Sequence, residues 1–199
     1  MTNAESSVPW RRIATREQVV DVIVGLYDEA GQRSYDESVS QTTHAVQAAE
    51  HAERSGAHDT LIVAALLHDI GHLLEPDDSE MRQARDLHHE HLGSRFLANW
   101  FPRDVTEPIR HHVTAKRYLC AVDDGYYNTL SPASKRSLDL QGGIFTSDDV
   151  ARCENIDHFP DAVLLRRWDD LAKNPHQPYR SIDRYRDLLL RTATAQNRA

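Results

Sequence analysis

The 199-residue sequence is short of the features that mark several large classes of protein. Its two cysteines, Cys120 and Cys153, lie far apart and outside any CxxC pattern, which excludes a disulfide framework and a thiol redox motif. No apolar run approaches the roughly 18 residues of a membrane span. The first dozen residues lack the basic start and apolar centre of a signal peptide, so a cytoplasmic location is expected. Positive charge is in deficit: 23 Lys and Arg stand against 31 Asp and Glu, a net charge of -8, which argues against a general nucleic-acid surface. Alternating apolar and polar runs are also missing, and with them the signature of strands, so an all-α fold is expected. What the chain has in excess is histidine. There are twelve, and most fall between His44 and His112.

The helices can be placed by their punctuation. Residues 1–13 read as a flexible tail, and residues 14–199 as a single helical domain. Thr15 with Gln18 opens a helix carrying Val19, Ile23 and Leu26 on one face, stopped by Gly31. A second helix, containing His44, ends near Gly56. Asp59 or Thr60 can cap the third, LIVAALLHDIGHLLE from 61 to 75, whose apolar run delivers His68, Asp69, Gly71 and His72. The charged stretch 75–86 reads as a solvated connector. A fourth helix from Leu87 places Leu92, Phe96, Leu97 and Trp100 at helical spacing, and Pro102 opens another through Val105, Ile109 and His112. Ser131-Pro132 is an N-cap and first-turn pair, and further helices are expected from Ser147, over 161–173 and after Ser181.

A greasy helix ending in an imidazole, a carboxylate and a second imidazole needs partners for those polar atoms in the interior, and a metal ion is one such partner. His44, the His68-Asp69 doublet and His112 all sit at the inward end of apolar patterns, so they can converge. Asp69, with two oxygens, could bridge two ions. A mixed nitrogen and oxygen donor set suits iron, manganese or zinc better than calcium.

The order His44, His68-Asp69 and a distant Asp169 resembles the HD-domain superfamily, an all-α helical bundle. The strings ALLHDIGH (65–72), HVTAKRYL (112–119), LSPASKRSLDLQGG (130–143) and RRWD (166–169) resemble more closely its mixed-valent diiron oxygenases of organophosphonate degradation. That resemblance implies one iron held by His44, His68 and Asp169, a second by His89 and His112, and Asp69 between them, with an Fe(II)/Fe(III) pair in the active form. It further implies that His72, Lys116, Ser134 and Arg166 hold a phosphonate. Glu37 would receive a cationic nitrogen, and Tyr35 would occupy the open iron position until substrate arrives.

On that resemblance the expected reaction uses dioxygen to cleave the C–P bond of 1-hydroxy-2-(trimethylammonio)ethylphosphonate or its 2-amino analogue. Phosphate is released with glycine betaine or glycine. The same ligands could instead activate water in a phosphohydrolase, which would turn over without oxygen. An inositol oxygenase fits the basic residues less well, and a sensing module would bind its ligand without consuming it. No nucleic acid or membrane is expected as a partner.

Overall fold

The computed structural model describes residues 13–32, 39–74 and 88–194. Tyr35, Glu37 and the 75–86 connector therefore lie outside the described residues. Within them the chain forms α1 (Arg16–Glu29), α2 (Gln41–Arg54), α3 (Asp59–Leu67), α4 (Gly71–Leu74), α5 (His89–Leu97) and α6 (Arg103–Val122). These are followed by α7 (Tyr126–Thr129), α8 (Pro132–Leu140), α9 (Ser147–Cys153), α10 (Phe159–Leu171), a 3₁₀ turn (Ile182–Tyr185) and α11 (Arg186–Thr192). There is no strand among the described residues, as the missing alternation predicts, and no described helix is long and apolar enough to cross a membrane.

Local chemistry sets most of the boundaries. Ser40, Ser131 and Thr146 each accept a hydrogen bond from the backbone N–H three residues on, satisfying a donor that the first turn of a helix leaves over. The cap of α3 is neither Asp59 nor Thr60. His58 takes the extended backbone of the cap position, and its Nδ1 accepts from the Leu61 N–H, while Asp59 becomes the first helical residue. The Pro102 segment is longer than expected: one helix runs through His112 and Lys116 to Val122, which puts both on one face a turn apart.

α3 is the buried centre, with every residue from Leu61 to Leu67 inside. Around it pack α2, α6, α10 and α11. Val19, Val20 and Ile23 of α1 join the same core, and the Tyr27 hydroxyl donates to the Leu66 carbonyl at 3.0 Å. α10 lies along α6 and also meets α2 and α3, so the helix that carries Asp169 touches each of those that bring His44, His68 and His112. α4 and α5 meet through two glycines. A Cβ on Gly71 would fall 2.0 Å from the His89 carbonyl oxygen, and one on Gly93 would fall 3.1 Å from Ile70. Only residues without side chains let α5 come this close to the turn that bears Asp69.

Candidate metal centre

Four imidazoles and two carboxylates converge at the buried end of α3. His44 Nε2 lies 3.2 Å from His68 Nε2 and 3.3 Å from Asp169 Oδ1. On the other side His89 Nε2 lies 3.2 Å from His112 Nε2. Asp69 stands between the two groups. Its Oδ2 is 3.7 and 3.6 Å from the Nε2 atoms of His44 and His68, and its Oδ1 is 3.3 and 3.7 Å from those of His89 and His112.

The tautomers decide what this cluster can hold. A backbone carbonyl can only accept, so a ring nitrogen facing one must carry the hydrogen. His44 Nδ1 donates to the Ala172 carbonyl at 2.8 Å, His68 Nδ1 to Ala65 at 2.8 Å, and His112 Nδ1 to Ile109 at 2.7 Å. In the neutral rings the Nε2 atoms therefore turn lone pairs toward one another and toward carboxylate oxygens. Acceptors facing acceptors at 3.2 Å are repulsive unless a proton or a metal cation lies among them. Two of the facing oxygens, Asp69 Oδ2 and Asp169 Oδ1, are buried without a hydrogen-bond partner. The donor set thus fits metal ions, with His44, His68 and Asp169 as one candidate group and Asp69 and His89 with His112 as the other.

The titration directions agree with this. Burial tends to push His44 and His89 down. The hydrogen bonds and charges of Asp169 and Asp69 override it, so both are raised. Burial lowers His68, and it lowers His112 far more, helped by the neighbouring imidazoles. For Asp69 burial favours the neutral acid, yet the surrounding imidazoles hold the carboxyl well below its usual range. Asp169 is held down in the same way, first by Arg166.

His89 differs from the other three. Its Nδ1 faces no carbonyl among the described contacts but lies 3.7 Å from Oε2 of the buried Glu90, an oxygen that accepts no hydrogen bond. The ring also stacks on His72, centroid to centroid 4.0 Å. His72 is thereby placed beside the second group, with donor atoms of Asp69, His72 and His89 all within 4.8 Å.

Of the residues expected to hold an anion, Lys116 and Ser134 are both buried. Lys116 donates to Ser137 Oγ at 2.7 Å, and Lys173 donates to Ser134 Oγ at 3.1 Å. Ser137 and Lys173 escaped the sequence reading, although Ser137 is one turn from Ser134 and Lys173 one turn from Asp169. Arg166 is buried within an ion network. It donates to Asp169 Oδ2 at 2.6 Å, to both oxygens of Asp170, and to the Tyr126 hydroxyl at 3.1 Å.

The HD-domain model matches residues 42–141, which contain five of the six candidate ligands. The chain belongs to the HD-domain family. It is 52% identical over 150 residues to a hydroxymethylphosphonate dioxygenase of Gimesia maris, covering 74% of this chain and 75% of that protein. It is 39% identical over 165 residues to the glycine-betaine-forming [1-hydroxy-2-(trimethylamino)ethyl]phosphonate dioxygenase of Leisingera caerulea, covering 79% and 82% respectively. The HD-domain assignment agrees with the all-α architecture and with a metal centre built on the His68-Asp69 doublet.

Proposed function

We propose that this HD-domain protein is a diiron oxygenase that cleaves the C–P bond of a 1-hydroxylated phosphonate. The observation that carries this is the convergence of four imidazoles and Asp169 around Asp69, whose two oxygens face one histidine pair each. A phosphohydrolase would also want metals and a cation, but both named relatives are phosphonate dioxygenases. The overall change is R–CH(OH)–PO₃²⁻ + O₂ → R–COOH + HPO₄²⁻, in which carbon is oxidised, dioxygen is reduced and the C–P bond breaks.

His44, His68 and Asp169 would hold one iron, His89 and His112 the other, and Asp69 would join them, with the Fe(II)/Fe(III) state as the active one. Bound iron supplies redox chemistry and open positions for a substrate hydroxyl and dioxygen, which no side chain here can provide. The protein's part is positioning. Lys116 and the Ser134 hydroxyl bind the phosphonate oxygens, which fixes the adjacent carbinol carbon near the ions. Arg166, locked between Asp169 and Asp170, orients the Asp169 carboxylate. The carbonyls of Ala172, Ala65 and Ile109 set the His44, His68 and His112 rings with Nε2 inward.

The substituent R separates two versions. Glu37 and Tyr35 would face a trimethylammonium or amine, giving glycine betaine or glycine. The higher identity to the hydroxymethylphosphonate enzyme favours R as hydrogen, giving formate, and this makes hydroxymethylphosphonate the first substrate to try. The test incubates iron-loaded protein with all three phosphonates, with and without oxygen, and measures phosphate. Oxygen-dependent release is expected; equal release under argon would replace the oxygenase with a hydrolase.

A further inference from the structure

Two lysines from different parts of the chain meet on one face of α8. The helix carries Ser131 as its cap and Ser134 and Ser137 at three-residue steps. Ser131 Oγ donates to Ser134 Oγ at 3.2 Å, and Ser137 Oγ donates to the Ser134 carbonyl at 3.1 Å, so the hydroxyls form a short ladder. Lys116, 2% exposed, reaches Ser137 from α6. Lys173 reaches Ser134 from the segment just beyond α10.

That segment is fixed from both sides. The carbonyl of Ala172 accepts from His44 at 2.8 Å. Asn174 is tied to Gln47 of α2 by reciprocal bonds, N–H to Oε1 at 2.9 Å and Nε2 to carbonyl at 2.8 Å. Lys173 therefore sits on backbone held at one end by an imidazole of the metal centre and at the other by α2. Its ammonium is delivered to Ser134, the serine that the resemblance assigns to the phosphonate.

Charge balance points the same way. Arg166 is opposed by the two carboxylates of Asp169 and Asp170, so it brings no net positive charge to an incoming dianion. We propose that Lys173 is the second cation of the phosphonate subsite, binding the anion together with Lys116 and the Ser134 hydroxyl. It takes the part that sequence resemblance gives to Arg166. This rests on the phosphonate oxygenase function proposed above.

The test compares wild-type iron-loaded protein with Lys173→Met, Lys173→Gln and Lys173→Arg. A charge-assisted hydrogen bond contributes about 1.5–3 kcal/mol, so removing it should raise KM for hydroxymethylphosphonate roughly 10- to 100-fold with kcat little changed. Lys173→Gln keeps a donor for Ser134 without the charge; it should behave like Lys173→Met, and Lys173→Arg should recover most of the loss. Calorimetry under argon with methylphosphonate, which has no hydroxyl to react, should show the same order of affinities. A Lys173→Met KM within twofold of wild type, or full rescue by Lys173→Gln, would overturn the role. If wild type turned over no hydroxyphosphonate while methylphosphonate binding still followed Lys173, the reaction would be wrong and the anion site right.

Discussion

Gly71→Ala tests how the second half of the metal centre is built. The new Cβ would lie 2.0 Å from the His89 carbonyl oxygen, 2.7 Å from its carbon and 2.9 Å from the His89 Cα, all backbone atoms that no rotamer change can move aside. Restoring ordinary contact, at roughly 3.4 Å, requires α5 to retreat from α4 by about 1.4 Å. Overpacking of this kind costs about 1–3 kcal/mol of stability. Because the clash falls on His89 itself, the retreat also draws its Nε2 away from Asp69 Oδ1, now 3.3 Å distant. A misplacement of about 1 Å can lower turnover by a factor of about 100. His44, His68 and Asp169 do not depend on α5, so the first iron should stay. Expected results are a lowered melting temperature, close to one iron per chain in place of two, and loss of the spectroscopic signature of a coupled pair. A variant retaining two irons and normal turnover would refute the close approach of α4 and α5 as the basis of the second site.

Other perturbations address the remaining parts. Asp69→Ala should abolish the coupled diiron spectrum, because among the described residues Asp69 is the carboxylate that lies within 4 Å of both histidine pairs; persistence of that spectrum would exclude the bridge. Arg166→Met leaves Asp169 and Asp170 without their cation and should cost about 3–5 kcal/mol in denaturant unfolding, as breaking a buried pair does. An unchanged unfolding midpoint would contradict the network. In metal-free protein, proton NMR should find His44 and His89 titrating above 6.5 and His68 and His112 below it, since acids raise the first pair and burial lowers the second. Four coincident titrations near 6.5 would show that the rings are not packed as described. Graded chelation should remove iron in two steps, the coupled spectrum vanishing in the first; a single step would argue that both sites are equally anchored.

Most of the helical order was legible because caps and apolar periodicity are local. Ser131-Pro132 and the buried run to Leu67 needed no partner to be recognised. His58 as a cap was less visible, since imidazole is not among the usual capping side chains and Asp59 and Thr60 stood next to it. The spacing from Arg166 to Asp169 correctly put the cation beside a candidate ligand. It did not reveal that Asp170, one turn from Arg166, pairs with the same guanidinium and completes an ion network. Lys173 and Ser137 were hidden for a different reason. Their significance comes from contacts between residues 39 and 21 positions apart, which no pattern along the chain encodes. The contact of Gly71 with His89 is likewise a property of packing.

The two halves of the centre are anchored in unequal ways, and this bears on how they could serve one reaction. His44 and His68 lie within or at the end of packed helices and have Nδ1 fixed by backbone carbonyls, while Asp169 is gripped by Arg166. His89 is the first residue of α5, follows His88 with its left-handed φ of 48°, and has a buried carboxylate behind its ring in place of a carbonyl. His112, the partner of His89, is backed by the Ile109 carbonyl like the rings of the first group, so the difference between the halves rests on His89 alone. The first group is thus fixed by backbone carbonyls and an arginine, and the second through one ring, His89, whose support comes from the start of a helix.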